Sequence, residues 1–440
     1  MTPAARIDTV ISLLGEIFAS DRPADGVISA FFRNHRYIGG GDRRNITHRL
    51  YRILRHYHRL SAHLPAPEPR LFVIAEMALL SKEKPGDFFG EPDNKYAPAP
   101  LSEHEKQLYR MLEGQPIFTK GQPEHIALEC PQWAADTLKK TLGDKFHAVM
   151  EAMLEEAPLD LRVNTLKTDR ATLKAALEKA LPRGIEETPY SPWGLRIAGR
   201  RPALGQMKLF QDGLFEIQDE GSQLIALAAA PKPGMRVLDI CAGAGGKTLA
   251  MGALMENKGS ITAADISEGR LKRAKQRFKR AGMFNTTLLP LSSENDKILK
   301  RKRGTFDIVL VDAPCTGTGT WRRDPDKKWR NIGPNLSSLL ETQARILDSA
   351  AKQVKPGGKL VYATCSLLFE ENEAQFAAFL EKHPDFTQTD LSKMPELAHI
   401  PLSGAAMRLL PSEHKTDGFF CAIAVRKEDA KEDKKDHKPE

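Results

Sequence analysis

Between residues 6 and 60, apolar side chains recur at helical spacing. Ile7, Val10, Ile11, Leu14 and Ile17 form one stripe, and Ile46, Leu50, Ile53 and Leu54 form another. The pattern predicts a helical module, with Gly39, Gly40 and Gly41 in a connecting loop open to close approach by a backbone or a phosphate. Residues 71–80 continue the helices. Residues 84–100, rich in Pro, Gly and Asp, read as a long surface connection before helices over 102–112 and 131–142.

From residue 145 the pattern becomes mixed. It predicts a helix over 145–156, a strand over 159–164, a helix over 169–180, strands near 195–198 and 214–218, and a helix over 223–230 that Pro231 and Pro233 stop. From Met235 onward strands and helices alternate. Strands are expected at 237–240, 260–264, 287–291, 306–311 and 359–364, with helices after Gly246 and over 268–281, 341–354 and 371–382. Such alternation implies an α/β domain with a doubly wound, mostly parallel sheet. Residues 418–425 are apolar enough for a final edge strand, and the charged stretch after 426 is expected to be disordered. The implied division is an all-α part over 1–140, a small α+β part over 141–230, the α/β domain over 231–427 and a tail over 428–440.

Composition narrows the class. Of 440 residues, 41% are hydrophobic and 28% charged, as in soluble globular proteins. No apolar run approaches the roughly 20 residues of a membrane helix, and the N-terminus lacks a signal pattern, so a cytoplasmic protein without a membrane partner is expected. Five cysteines without CxxC spacing predict thiols rather than disulfides or a zinc site, and no metal is expected. The net charge of +8 is unevenly spread. Residues 1–65 hold ten arginines, no lysine and five acids, and basic clusters follow at 270–280 and 300–303. Each cluster alone fits a solvated helix face; three together point to a polyanion, nucleic acid first.

The segment from Val237 to Thr248 joins a strand, a glycine-rich turn and a helix start. A phosphate-binding P-loop requires Gly where Cys241 stands, and the dinucleotide fingerprint requires Gly where Thr248 stands. An acid followed by close glycines instead fits the loop that class I methyltransferases place beneath the methionyl part of S-adenosyl-L-methionine. Cys241, Ala242, Gly243, Ala244, Gly245, Gly246 and Lys247 are therefore the candidate cofactor residues. Asp265, at the end of the next strand, is the candidate ribose ligand, against the alternative of a helix cap. After the third strand, Ser292 and Ser293 stand where an acid would commonly face the adenine.

The strand over 306–311 runs into Asp312-Ala313-Pro314-Cys315, and that over 359–364 into Cys365. Adjacent strand tips would then carry two thiols and an acid. Methylation at the C5 carbon of a pyrimidine needs such a set. A thiolate adds at C6 to make C5 nucleophilic, an acid stabilises the base's N3 and N4 edge, and a base removes the C5 proton before the thiol leaves. Chemistry leaves open which cysteine attacks. Nitrogen methylation uses Asn or Asp followed by two prolines and an aromatic; here Cys315 replaces the second proline, and no aromatic follows until Trp321.

Asp312-Ala313-Pro314-Cys315 with Gly317 and Gly319, then Arg322-Arg323, Pro325-Asp326 and Lys328-Trp329-Arg330, together with Thr364-Cys365-Ser366 and Glu370-Glu371-Asn372-Glu373, carry a resemblance. Weaker marks are Leu161-Arg162-Val163-Asn164, Gln218-Asp219 and Thr416-Asp417-Gly418-Phe419-Phe420. The chain resembles the RsmB/Sun-type RNA 5-methylcytosine methyltransferases. The resemblance implies a Rossmann-like class I methyltransferase domain preceded by a NusB-like RNA-binding helical domain and an accessory domain. It implies Cys365 as nucleophile, Cys315 as the residue assisting product release, Lys247 near the substrate pocket and Asp265 as a ribose ligand; Asp312 is expected both at the base and at the cofactor. It departs at Gly243-Ala244-Gly245, where the family commonly reads Ala-Pro-Gly. The expected substrate is 16S ribosomal RNA, with transfer RNA or a non-catalytic RNA-binding assembly role as alternatives, and the chain is read as a monomer. Trp321, Trp329 and Arg322 are candidates to support a flipped nucleotide.

Overall fold

A computed structural model describes residues 1–428 apart from 92–93, 119–120, 182–183, 200–201 and 331; the predicted tail from 429 onward lies outside the described residues. The chain forms two compact units, Met1–Glu156 with Thr320–Pro334, and Ala157–Gly319 with Asn335–Glu440. No helix among the described residues is long and apolar enough to cross a membrane.

The first unit is helical. Its stripes close on one core: Leu14, Ile17, Leu50, Ile53, Leu54 and Phe72 are fully buried across the helices Pro3–Ala19, Gly40–Arg55 and Pro69–Glu76. Gly39 to Gly41 do not form the open loop that their composition suggests. Gly39 is the N-cap, and Gly40 and Gly41 begin the helix Gly40–Arg55, whose first turn carries Asp42. The N-terminal amine and Arg6 pair with that carboxylate, which suits the positive end of a helix dipole. The returning segment Thr320–Pro334 is held in this unit by Trp329, whose ring stacks on Tyr57 at 4.0 Å, and by Asp326, which accepts a 2.9 Å bond from the Ala24 amide.

The second unit contains two sheets. The smaller is antiparallel, in the order β2-β3-β1-β4, from β1 (Leu159–Val163), β2 (Ile185–Glu187), β3 (Gly194–Ile197) and β4 (Phe215–Ile217). The larger uses β5 (Arg236–Asp239), β6 (Ser260–Asp265), β7 (Thr286–Pro290), β8 (Phe306–Asp312), β9 (Val354–Thr364), β10 (Phe386–Thr389), β11 (Met407–Leu409) and β12 (Phe419–Arg426). Its order is β10-β12-β9-β8-β5-β6-β7, and the five strands from β9 to β7 run parallel. This is a Rossmann-like, doubly wound domain. β5 lies between β6 and β8, so the strand order reverses beside it, and ligands bind such sheets at the carboxyl ends of the strands flanking that reversal.

β12 is not the edge strand expected. It runs antiparallel between β9 on one side and β10 and β11 on the other. Phe419 to Ala424 are all buried, which an edge position would not supply.

The small sheet's domain is tied to the larger sheet's domain through the loop after β1. Asn164 Nδ2 donates to the carbonyls of Gly213 (2.7 Å) and Ala281 (2.8 Å), and Lys167 Nζ donates to that of Arg280 (2.7 Å). These bonds satisfy the last carbonyls of the helix Glu268–Ala281, which a helix end otherwise leaves open. Gly213, at φ +73°, has no room for a side chain, since a Cβ would lie 2.0 Å from the Arg280 oxygen.

Candidate functional site

The glycine turn after β5 needs its glycines for two reasons. Gly243 and Gly245 have φ of +55° and +80°, where a side chain is strained, and a Cβ on Gly245 would meet the Phe278 ring at 2.4 Å. Asp265, at the end of β6, fixes the turn: its Oδ2 accepts from the Gly243 amide and its Oδ1 from the Ser267 amide, each at 2.7 Å. The cap of the following helix is Ser267, not Asp265.

Cys241, Ala242, Gly243, Ala244, Gly246, Lys247 and Asp312 line one cleft of about 210 Å³; Gly245 belongs to the same turn, and Asp265 bonds to its Gly243 amide. Asp239 also lines it, a residue read from sequence only as the acid ahead of the glycines. It is buried, and its Oδ2 accepts from Thr248 Oγ1 at 2.7 Å while its Oδ1 has no partner. Burial first, then the neighbouring Asp312 and Asp265 carboxylates, push the Asp239 carboxyl up to about 7 against the opposing Thr248 bond and Lys247 charge.

Lys247 Nζ donates to Asp312 Oδ2 at 2.7 Å across the cleft. Burial would lower this ammonium, but Asp312, with Cys365 and Asp239, holds it raised. The lysine is therefore a fixed cation between the glycine turn and the strand tips. Phe419 lies 5.7 Å from it, ring centroid to nitrogen.

β8 and β9 pair in parallel with Asp312 opposite Ala363, so the loops that follow bring Cys315 and Cys365 together with their Sγ atoms 3.4 Å apart. The separation is far beyond a disulfide bond of about 2.05 Å, and both are free thiols. The bond with Cys365, burial and the Glu371 carboxylate push the Cys315 thiol well up. Of the other cysteines, Cys130 and Cys421 are buried, each pushed up to about 12 by burial.

The cleft's remaining wall was not legible as a site. Ile217 enters it from β4, Gln218 from the loop after it, Ser222 from the helix Glu220–Ala229, and Arg270 and Arg277 from the basic helix. Arg162 on β1, almost fully buried, bonds both Gln218 and the Gly246 carbonyl, the latter at 2.7 Å. Arg277 donates to the Ala244 carbonyl at 2.8 Å and, with Arg280, pairs with the buried Glu216. Two members of that basic cluster thus brace the fold, while Lys272, Arg273, Lys275 and Lys279 are exposed.

Trp321, Trp329 and Arg322 do not stand open for a nucleotide. Trp321 is fully buried, edge-on to Trp133 at 6.2 Å; Arg322 is 4% exposed; and Trp329 is taken by Tyr57. All three belong to the helical unit. Ser292 and Ser293 lead into Asp296, whose Oδ2 is occupied by the Ser292 amide and hydroxyl.

Residues 226–424 match the family described as 16S rRNA methyltransferase RsmB/F, and residues 130–203 match the ferredoxin-like domain of RsmF/B-like methyltransferases. The ribosomal RNA small subunit methyltransferase B of Xylella fastidiosa is 35% identical over 300 residues, covering 67% of this chain and 68% of its own length. The chain belongs to the RsmB/F methyltransferase family. The protein of the same name from Vibrio cholerae is 34% identical over 296 residues, 67% of this chain, and the match spans 64% of the Vibrio protein's length. A solved methyltransferase homolog from Pyrococcus horikoshii is 31% identical, with a TM-score of 0.58 over 69% of this chain and 97% of its own. The RsmB/F match takes in the glycine turn, Lys247, Asp265, Asp312 and both cysteines of the site.

Proposed function

We propose that this chain is an S-adenosyl-L-methionine-dependent RNA methyltransferase that forms 5-methylcytosine in small-subunit ribosomal RNA. The observation that carries the reading is the pair of thiols 3.4 Å apart on adjoining strand tips, beside the Lys247–Asp312 pair at one cleft. Nitrogen methylation gives neither thiol a task. The ribosomal substrate rests on the names of the relatives from Xylella and Vibrio.

The cleft suits the cofactor. Asp239 Oδ1 is a buried carboxylate oxygen without a partner, suited to an ammonium group, and Asp239 lines the same cleft as the glycine turn. Asp239 and the turn from Cys241 to Gly246 would hold the methionyl part, and Asp265 the ribose. When bound, S-adenosyl-L-methionine supplies an electrophilic methyl group. The chain's own residues prepare the base. Cys365 Sγ bonds to C6 of cytosine, and the electrons of the C5=C6 double bond move to C5, making that carbon nucleophilic. Asp312, oriented by Lys247, meets the N3 and N4 edge and stabilises charge on the ring. Once C5 carries the methyl group, a base takes the C5 proton, the electrons of that C–H bond re-form the C5=C6 double bond, and the C6–S bond breaks so that Cys365 leaves as a thiolate, with Cys315 assisting this last step. Residues 1–140, whose first 65 carry the arginine excess, serve RNA binding.

Bisulfite sequencing of ribosomal and transfer RNA from cells with and without the gene tests the reading. One protected cytosine should disappear from small-subunit RNA. Loss only in transfer RNA keeps the chemistry and moves the substrate; no loss in either leaves an RNA-binding assembly role. In vitro, Cys315→Ala should accumulate a covalent RNA adduct, and Cys365→Ala should neither methylate nor crosslink.

A further inference from the structure

The two cysteines lie in loops beyond the ends of their strands, where the Gly319 amide donates to the Cys365 carbonyl at 2.9 Å and side chains supply further ties to the backbone. Two of those side chains belong to consecutive residues. Glu371, fully buried, accepts from the Thr316 amide at 2.9 Å through Oε1 and from the Thr316 hydroxyl at 2.5 Å through Oε2. Gln343 Nε2 donates both to Glu371 Oε1 (2.9 Å) and to the Pro314 carbonyl (3.0 Å). The residues on either side of Cys315 are thus tied to Glu371, one directly and one through Gln343. Asn372, 1% exposed, does the same for the other thiol. Its Oδ1 accepts from Thr364 Oγ1 at 2.5 Å and its Nδ2 donates to the Ser366 carbonyl at 2.9 Å, the residues on either side of Cys365. The turn that carries both is itself anchored, because the Tyr362 hydroxyl donates to the Glu371 carbonyl at 2.6 Å.

We propose that Glu371 and Asn372 are a positioning pair, Glu371 for Cys315 and Asn372 for Cys365, whose adjacency in the chain sets the distance between the two thiols. The proposal rests on the methylation reading above. Neither residue touches the base or the cofactor cleft; each acts through the loop it holds. Misplacing a reacting group by about 1 Å can cost on the order of 10²-fold in rate, so each half of the clamp governs the step its own cysteine performs. Loss of the Glu371 half leaves attack by Cys365 intact and blocks its release. Loss of the Asn372 half blocks the attack itself.

The two halves therefore predict opposite results in one assay. Full-length protein is incubated with a small-subunit ribosomal RNA transcript and S-adenosyl-L-methionine, and denaturing gels report the covalent complex while methyl incorporation reports turnover. Glu371→Ala should lose turnover by about 10²-fold and accumulate adduct as Cys315→Ala does. Asn372→Ala should lose turnover and adduct alike, as Cys365→Ala does. Glu371→Gln, which keeps the shape and lets the Thr316 hydroxyl rotate to match, should restore turnover. Should either alanine variant fail to fold, Gln343→Ala and Thr364→Val carry the same pair of predictions with milder losses. The clamp is overturned if the two halves give the same pattern, or if either alanine variant turns over at the wild-type rate. Failure of the parent reading looks different: neither cysteine variant would then show its own signature, and the clamp would fall with it.

Discussion

Replacing Asp239 by Asn should stabilise the protein and disable it. The carboxyl stands near 7 in the fold, raised first by burial, against an ordinary 3.8. Below pH 4 it is protonated whether the chain is folded or not. Between about pH 4 and 7 the unfolded chain has lost that proton and the fold keeps it, so folding stability falls as pH rises through this window and levels off above it. Holding the proton up to about pH 7 instead of about pH 4 corresponds to roughly 4 kcal/mol at pH 8. Asparagine carries no such cost, and its side-chain oxygen can still accept from Thr248. Urea denaturation of both proteins at pH 5 and pH 8 reads the effect, because titrating groups away from the cleft are shared and cancel in the difference. The advantage of Asp239→Asn should grow by a few kcal/mol between the two pH values. Isothermal titration with S-adenosyl-L-methionine at pH 8 should show the opposite ranking, with affinity lost where the anionic oxygen is gone. A stability gap that does not change with pH, or unaltered cofactor affinity, refutes the assignment of Asp239 as the buried anion awaiting a cation.

Three further expectations concern how the site is held. Gly245→Ala places a side chain at positive φ and 2.4 Å from the Phe278 ring, and should cost about 2–4 kcal/mol in urea denaturation. Glu216→Ala removes the buried partner of Arg277 and Arg280; it should cost about 2–3 kcal/mol and weaken cofactor binding, since Arg277 also braces the Ala244 carbonyl. Trp329→Ala, by removing the ring stacked on Tyr57, should lower stability by about 2–3 kcal/mol; an unchanged melt would mean the segment 320–334 contributes nothing to the helical unit.

The parallel sheet was legible because buried strands are written as short apolar runs closed by Gly, Pro or Asp, and β5, β6, β8 and β9 each have that form. Once those strands alternate with helices, the adjacency of β8 and β9 follows from the fold class, and with it the meeting of Cys315 and Cys365. What an apolar run does not encode is its neighbours. β12 reads equally well as an edge or an interior strand, and only its pairing with β9, β10 and β11 decides. The stretch from Trp321 to Arg330 misled for a related reason. Its aromatic and basic residues follow the Cys315 loop in sequence and invite a role at the substrate, yet they are spent on packing within the helical unit. Gly39 to Gly41 misled in reverse, since glycines that permit an open loop also permit a helix start when Asp42 and the chain terminus stabilise it.

The hardest distinction lay between two acids of the same region. Asp239 and Glu371 both follow or end apolar segments, both are buried, and composition cannot separate them. Their hydrogen bonds do. Glu371 receives three donors on its two oxygens, so its charge is compensated by the protein and it is suited to holding backbone in place. Asp239 receives one, on one oxygen, and faces the cleft with the other. A buried carboxylate left half-satisfied is costly unless something arrives to complete it. By that criterion Glu371 is suited to holding the thiol loops and Asp239 to meeting a ligand, a difference set by the placement of donors and not by residue type.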